Sequence, residues 1–323
     1  MHRIQTFVFA AALACSAPGF AQGFPTRSIT MVVPAPAGGA SDAIARSLAD
    51  AMGKALGQVI VVDNKPGASG MLATQLVARA SADGYTLLVT HTTPIYYAHH
   101  TFSKVPYDVR RDLAFVTHIC DASLVLAVHK DVPARNMTEF IAWARSNKGK
   151  VSYGSYGVGS SGHLMSSYLG ESRQLGMSHV PYKGEAPMIQ DLIGGHIPWA
   201  FATAGSLSPH FASGQLRPLA VVGEQRLDDL PGVPTLIEAG FRDPEFKIIG
   251  GLTMMVAAGT PAPVLARLEK EARAAIQTVQ LRARFQVFGL IGVGNSAKEA
   301  REGFEASGPV IEKLVRISGA KMD

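Results

Sequence analysis

The sequence has little cysteine, little charge and no long apolar run after its first residues. Its 323 residues include two cysteines, Cys15 and Cys120, which excludes a small fold held together by several disulfides. Charged residues make up 17% of the chain and hydrophobic residues 47%, a balance that excludes a disordered polyelectrolyte and permits a large core. Beyond residue 21, no segment approaches the roughly 18 apolar residues that predict a transmembrane helix.

Clustered basic residues are also missing. The formal charge is +5 and the isoelectric point about 9.2, but lysine and arginine are scattered, and the densest group is Arg145, Lys148 and Lys150. A nucleic-acid-binding surface needs such residues on one patch or stripe. We therefore expect no nucleic-acid partner.

The N-terminus has the pattern of an export signal. Basic residues at 2–3 precede an apolar run at 7–14 and small residues suited to cleavage. This predicts a signal peptide over 1–21, a mature chain that begins at about Gln22, and a periplasmic location. Two alternatives are a buried N-terminal helix and a lipoprotein signal that would anchor the protein at Cys15.

The rest of the chain alternates strand and helix patterns, which predicts an α/β fold. One β-α-β-α-β unit begins at 29–33, and its first helix carries an apolar stripe at Ile44, Leu48, Met52 and Leu56. A second unit begins at 124–128. We expect two lobes, each a mainly parallel sheet flanked by helices, with a ligand cleft between them. The predicted boundaries place 22–122 and 247–323 in lobe 1 and 123–246 in lobe 2.

Two glycine-rich loops, 34–42 and 154–162, each join a strand to the start of a helix. The first amides of a helix have no internal acceptor, and the helix dipole adds roughly half a positive charge there. Each loop is therefore a candidate anion site that needs no lysine or arginine. If the lobes face each other, the two loops could hold one carboxylate from both sides; otherwise both are only tight structural turns.

Three glycines of the second loop also match G-x-G-x-x-G, the dinucleotide fingerprint: Gly157, Gly159 and Gly162. That fingerprint needs an acidic residue at the end of the next strand. Glu185 has about the right spacing but lies in a segment patterned as a loop. We therefore expect no cofactor.

Sequence patterns for catalysis or metal binding are weak. The candidate serines lack the flanking glycines of a G-x-S-x-G elbow, although a triad of distant residues stays open. The closest histidines, His91, His99 and His100, do not have zinc-site spacing. We expect no catalytic residue and no metal, and interpret Cys120 as a buried core residue.

The motifs together resemble those of Bug-type (TctC-like) periplasmic solute-binding receptors of tripartite tricarboxylate transporters. The matching segments cover nearly the whole mature chain: VVPAPAGGASDAIAR, VDNKPGASG, GYTLL, YGSYGVGSSGHL, HVPYKGEAP, DLIGGHIP, LRPLAVVGEQR, LPGVPTLIEAGF and AAGTP. The resemblance implies a type II-like periplasmic binding protein with no enzymatic activity. It implies capture of a small organic acid through backbone amides and ordered waters, and delivery to membrane permease subunits by a monomeric receptor.

The resemblance also implies a set of ligand-binding residues. In this sequence they are Ala37, Gly38, Gly39, Asp42, Ala68, Ser69, Ser155, Gly157, Ser160, His163, Tyr182 and Ala202. Asp42 could equally cap its helix. Which acid is bound stays open, as does a sensory role in place of transport or, as a further alternative, a periplasmic hydrolase.

Several positions depart from the family pattern. Ala35 and Ala37 stand where an aromatic residue and a glycine are common, Ala202 where an aspartate is common, and Gly251 where a tryptophan often stands. Smaller residues at these positions suggest a roomier or less polar distal pocket, and hence a ligand with a bulky or apolar far end, such as an aromatic acid.

Overall fold

The computed structural model describes residues 23–247 and 250–321. The predicted signal peptide over 1–21, the mature start at Gln22 and the alternative anchor at Cys15 lie outside the described residues.

The described residues form two separate β-sheets. The first sheet has six strands in the order β11-β4-β10-β3-β1-β2, and the second sheet has five in the order β7-β6-β8-β5-β9. The strands are β1 Ile29–Val33, β2 Ile60–Asn64, β3 Thr86–His91, β4 Leu113–Ala122, β5 Leu124–His129, β6 Ser152–Ser155, β7 Ser178–Pro181, β8 Trp199–Thr203, β9 Leu216–Val221, β10 Gly250–Ala257 and β11 Leu290–Gly292.

Helices connect and flank these strands. They are α1 Ala40–Leu56, α2 Met71–Ala78, α3 Ala98–Thr101, α4 Val109–Asp112, α5 Met137–Ser146, α6 Ser161–Ser172, α7 Glu185–Ile193, α8 Ala204–Ala212, α9 Ala262–Ile276, α10 Val279–Val287 and α11 Ala297–Ser318. Short helical turns cover Ala68–Gly70, Thr93–Tyr97 and Pro244–Lys247. The α/β prediction is confirmed.

Both sheets are mixed, which corrects the expectation of mainly parallel sheets. β1 runs parallel to β2 and β3, and β6 runs parallel to β7 and β8. β10 is antiparallel to β3 and β4, and β5 is antiparallel to β8 and β9. The chain leaves the first sheet along β4 and β5, joined by Ser123, and returns along β9 and β10. The outgoing and returning strands run in opposite directions, so the pairs β4·β10 and β5·β9 are antiparallel.

Hydrophobic clusters on the faces of each sheet form the core. The predicted stripe of α1 is buried against the first sheet, with Ile44, Leu48 and Met52 fully inaccessible to solvent. Each such side chain stabilises the fold by about 1.5–3 kcal/mol. Cys120 is a buried free cysteine in the same cluster, as predicted, and burial raises the pKa of its thiol to about 12.

The last helix, α11, packs against both sheets. It begins with a Ser296–Glu299 capping box and ends at Gly319 in the left-handed conformation. Near its start, Phe304 packs 5.3 Å from Phe115 of β4. Toward its end, Ile311, Leu314 and Val315 join the core of the second sheet. This helix thus bridges the two sheets along its length.

Gly251 of β10 packs tightly against β4. A Cβ at this position would lie 2.0 Å from the Cys120 carbonyl oxygen, so no side chain fits without a shift of the backbone. The register of the two strands slips just beyond this point, between Leu252 and Thr253. The glycine therefore reflects strand packing, and an added side chain would meet β4 instead of filling a pocket.

We expect Gly251→Ala to lower the free energy of unfolding by about 2 kcal/mol or more, because the new methyl group forces β10 away from β4. Gly303→Ala is the matched control, since its Cβ would meet nothing within 4 Å on α11. Replacing a helical glycine with alanine should stabilise by up to about 1 kcal/mol. Urea unfolding followed by circular dichroism measures both; equal stabilities of the two variants would contradict the assignment.

Candidate ligand-binding cleft

A cleft of about 690 Å³ lies between the two sheets. On the first-sheet side it is lined by 40–41, 69, 91–93, 122, 250–252, 287–288 and 290, and on the second-sheet side by 124, 156–161, 185, 203 and 205–206. Both glycine-rich loops predicted as anion sites therefore contribute to one cavity.

The start of α1 presents backbone donors to this cleft. Its N-cap, Gly39, has extended backbone (φ −81°, ψ 174°) and no side-chain cap. The amides of Ala40, Ser41 and Asp42 have no protein acceptor within the described part of the chain, and Ala40 and Ser41 line the cleft. Together with the helix dipole, these donors favour an anion.

Asp42 holds the loop before α1 in place. Its buried carboxylate accepts hydrogen bonds from the Gly38 amide at 2.9 Å, from Arg46 Nε at 3.0 Å and from Asn64 Nδ2 at 2.9 Å. Asn64 Nδ2 also donates to the Ala35 carbonyl oxygen at 3.0 Å. The Arg46 hydrogen bond is the main reason that the pKa of Asp42 falls to about 2. Asp42 neither lines the cleft nor caps α1.

In the second loop, the three glycine amides are bonded to the protein itself. The amides of Gly157, Gly159 and Gly162 donate, in that order, to Ser155 Oγ at 3.3 Å, His163 Nδ1 at 3.2 Å and Tyr156 Oη at 3.1 Å. The amides between them, those of Val158 and Ser161, have no protein acceptor among the described residues. The glycines thus shape the loop and leave neighbouring amides for an anion.

Hydroxyl groups at the start of α6 add to these donors. Ser160 is the N-cap, and its Oγ accepts the His163 amide at 3.2 Å, so its own proton stays available. Ser161 Oγ lies 3.3 Å from Tyr97 Oη, which belongs to the turn after β3. This contact joins the start of α6 to the first-sheet side of the cleft.

A buried serine–histidine pair supports the second loop. Ser155 is fully buried, and its Oγ lies 2.7 Å from His179 Nε2 and 3.1 Å from the Gly157 carbonyl oxygen. His179 stacks on His163 at 3.9 Å. Burial lowers the pKa of both rings, that of His163 to about 4. Both rings are therefore neutral at neutral pH, and the serine oxygen has no surface toward the cleft.

A left-handed turn forms another part of the first-sheet wall. Ala68, Ser69 and Gly70 have φ values of 45°, 53° and 90°, and Ser69 lines the cleft. Such non-glycine backbone costs about 1–3 kcal/mol per residue and clusters at functional sites. His91 lies beside this turn and also lines the cleft. Burial lowers the pKa of His91 to about 4, so this ring is also uncharged.

Comparison with known proteins shows the family of this chain. The model of the tripartite tricarboxylate transporter family receptor matches residues 44–314. The chain belongs to this family. It is 32% identical to protein BugT of Bordetella pertussis, over 98% of this chain and 96% of that one.

Two solved structures are also similar to the receptor. The periplasmic binding protein BugD has a TM-score of 0.73 and 30% identity, over 93% of this chain and 100% of that one. R. palustris Rpa4515 with adipate has a TM-score of 0.77 and 30% identity, over 92% of this chain and 98% of that one. The two-lobed periplasmic binding protein fold is thus shared with these relatives.

The predicted ligand-binding residues of the receptor fall into three groups. Ser69, Gly157 and Ser160 line the cleft. Others lie next to or behind lining residues: Ala37, Gly38, Gly39, Asp42, Ala68, Ser155 and His163. Tyr182 and Ala202 do not line the cavity. The Tyr182 hydroxyl donates to Asp191 Oδ2 at 2.7 Å, and Ala202 is fully buried beside α7 and α8.

The small residues Ala202 and Gly251 therefore do not enlarge the cleft as expected, because a larger side chain at either position would meet the protein core or β4. Alternation along β8 turns Ala202 into the core, and the next residue, Thr203, reaches the cleft. The apolar wall formed by Val287, Phe288 and Leu290 was not predicted from the sequence. Their helix, α10, and strand β11 were not predicted, so nothing in the sequence placed them near the glycine-rich loops.

The polar cleft residues that were not predicted from the sequence are grouped around Glu185. Its carboxylate accepts hydrogen bonds from the Thr203 amide at 2.6 Å, the Thr203 hydroxyl at 2.9 Å and the Ser206 hydroxyl at 2.8 Å. Among the described residues that line the cleft, Glu185 carries the only formal charge, and none is lysine or arginine. Positive potential in the receptor's cleft therefore comes from backbone dipoles.

Within residues 23–247 and 250–321, no helix is both long and apolar enough to cross a bilayer. Nor do these residues bring together three or more histidine, cysteine, aspartate or glutamate side chains that could hold a metal ion.

We expect Asp42→Asn to lower the free energy of unfolding at pH 7 by about 1–2 kcal/mol, since the folded state holds the pKa near 2 against an ordinary value of 3.8. A depressed pKa contributes stability above about pH 4 that is lost as the pH falls toward 2. The variant and the native chain should therefore converge at about pH 2. Denaturant titrations from pH 2 to 7 measure this convergence.

Asp50→Asn is the matched control on the same helix, because Asp50 forms an exposed ion pair with Lys54. Such pairs contribute about 0.2–1 kcal/mol. A loss for the Asp50 variant equal to that of the Asp42 variant would contradict a special role for the Asp42 network.

Proposed function

We propose that this receptor captures a small carboxylate in the cleft between its sheets and delivers it to the membrane permease of a tripartite transporter. The observation that carries the proposal is the convergence of the starts of α1 and α6 on one cavity. Both starts have amides without protein acceptors. Membership in the receptor family and the adipate-containing R. palustris relative support the same class of ligand.

Backbone donors suit a receptor that must also release its ligand. Each helix start contributes roughly half a positive charge and several amides that are already oriented. Their loops are fixed by Asp42 on one side and by Ser155 and His163 on the other. Binding therefore requires little reorganisation of the loops, and no lysine or arginine must be desolvated.

We further propose that residues 22–122 and 247–323 form one lobe and 123–246 the other, and that the lobes close on the ligand by a hinge. The direct passage from β4 to β5 through Ser123 supports a hinge at that point. The sequence of 1–21 and the periplasmic relative BugD support a periplasmic location. In this proposal the receptor is monomeric and has no enzymatic activity.

The direct test is native mass spectrometry of protein purified without denaturation, followed by calorimetry with a panel of mono-, di- and amino-carboxylates. We expect a retained organic acid or saturable binding of at least one acid, with a stoichiometry of one. Absence of binding across the panel, with a folded protein, would overturn the proposal.

Ala40→Pro tests the backbone donor itself. Proline fits the first position of a helix, and the extended backbone of Gly39 accommodates it. The change removes one amide proton and no polar side-chain atom, so we expect affinity for the acid to fall about 10–100-fold at nearly unchanged stability. Calorimetry and thermal melting measure the two quantities.

Ala297→Pro is the matched control at the first position of α11, where Ser296 is also extended. Because this helix start lies outside the cleft lining, affinity should be unchanged. Equal affinities of the Ala40 and Ala297 variants would argue against amide donation from α1.

A further inference from the structure

We infer that Glu185 selects carboxylates that carry a cationic nitrogen at their far end, such as an alkylammonium group. This inference rests on the proposed function and specifies the ligand within the same cleft. The basis is the position of the Glu185 carboxylate. It lies on the wall of a cavity in which the helix starts and their backbone amides favour an anion.

Glu185 is fixed in place without a counter-ion. Three donors from Thr203 and Ser206 hold its two oxygens at 2.6–2.9 Å. Among the described residues, neither lysine nor arginine forms an ion pair with it. These neutral donors stabilise the ionised carboxylate but leave its negative charge uncompensated.

The carboxylate also keeps capacity to bind a ligand. A carboxylate offers about four acceptor positions. Oε2 accepts from the two hydroxyls, whereas Oε1 accepts from the Thr203 amide alone. Oε1 therefore retains one acceptor position on a residue that lines the cleft, and a cationic N–H forms the strongest such bond.

An apolar wall of the same cavity sets the chemical character expected for the middle of the ligand. Val287, Phe288 and Leu290 line the cavity and come from α10 and β11. They meet the Glu185 side at Gly205, where a Cβ would lie 2.6 Å from the Phe288 carbonyl oxygen. A carbon chain or ring between the two charged ends would contact this apolar surface.

A second carboxylate would be unfavourable in the same position. The R. palustris relative is described with adipate, which has a carboxylate at each end. In this receptor, a far carboxylate would face the charge of Glu185 with no lysine or arginine on the cleft wall to offset the repulsion. Replacing the far carboxylate with an ammonium group of equal chain length should reverse the interaction.

Calorimetry at pH 7 with matched pairs of acids tests the inference. The pairs are succinate with 4-aminobutanoate, adipate with 6-aminohexanoate, and terephthalate with 4-(aminomethyl)benzoate. For the pair of best-fitting length, we expect the native receptor to bind the amino acid at least 10-fold more tightly than the diacid. Glu185→Gln should weaken the amino acid at least 10-fold and strengthen the diacid, since it removes the charge and keeps the shape.

Asp191→Asn is the matched control, because Asp191 lies on the same helix and bonds to Tyr182 outside the cleft lining. It removes the same charge and should leave the preference unchanged. Thermal melts establish whether both variants fold. If the Glu185 variant does not fold, the relative affinity of the native receptor for the amino acid and the diacid tests the inference.

The outcomes separate the two proposals. Tighter binding of diacids by the native receptor, or a preference that Glu185→Gln leaves unchanged, would overturn this inference and reduce Glu185 to a structural partner of α8. The proposed function would stand, since acids would still bind. Failure of every acid to bind would overturn both.

Discussion

The cleft depends on one constraint: an anion must be held by backbone amides, because no lysine or arginine is among the described residues of its wall. Amides satisfy an anion only when they are free of protein acceptors and fixed in direction. The starts of α1 and α6 meet both conditions, and they approach from opposite sheets. The sheet order, the direct passage from β4 to β5 and the bridging helix α11 all serve to bring these two helix starts to one cavity.

Fixing the loops requires buried polar groups, and the protein uses groups whose charge does not change near neutral pH. Asp42 stays ionised because Arg46, Asn64 and the Gly38 amide bind its carboxylate. His91 and His163 stay neutral because they are buried. The charges of Asp42, His91 and His163 therefore do not change across the physiological range of pH, and the fixed dipoles remain the positive component of the cleft.

Features that depend on neighbouring residues in the chain could be predicted from the sequence, whereas features that depend on distant segments could not. The α1 stripe, the Ser296 capping box and the loops before α1 and α6 follow from periodicity, capping residues and glycine, so the sequence reveals them. β10, α10 and the wall at Val287–Leu290 depend on contacts between distant segments and were missed. The G-x-G-x-x-G match was informative about the loop but not about the donors, because its glycine amides bond to Ser155, His163 and Tyr156.

If the lobes close by the proposed hinge, the division of donors between the two sheets couples binding to closure. The amides of Ala40 and Ser41 belong to one side and those of Val158 and Ser161 to the other, so an open arrangement would present only half of them to a ligand. Affinity would then be high only when the sides approach, and any event that separates them would weaken binding without a competing ligand. With the selectivity inferred for Glu185, a ligand with opposite charges at its ends would gain from closure in one orientation alone. The separation of the two sheets would then distinguish the loaded receptor from the empty one.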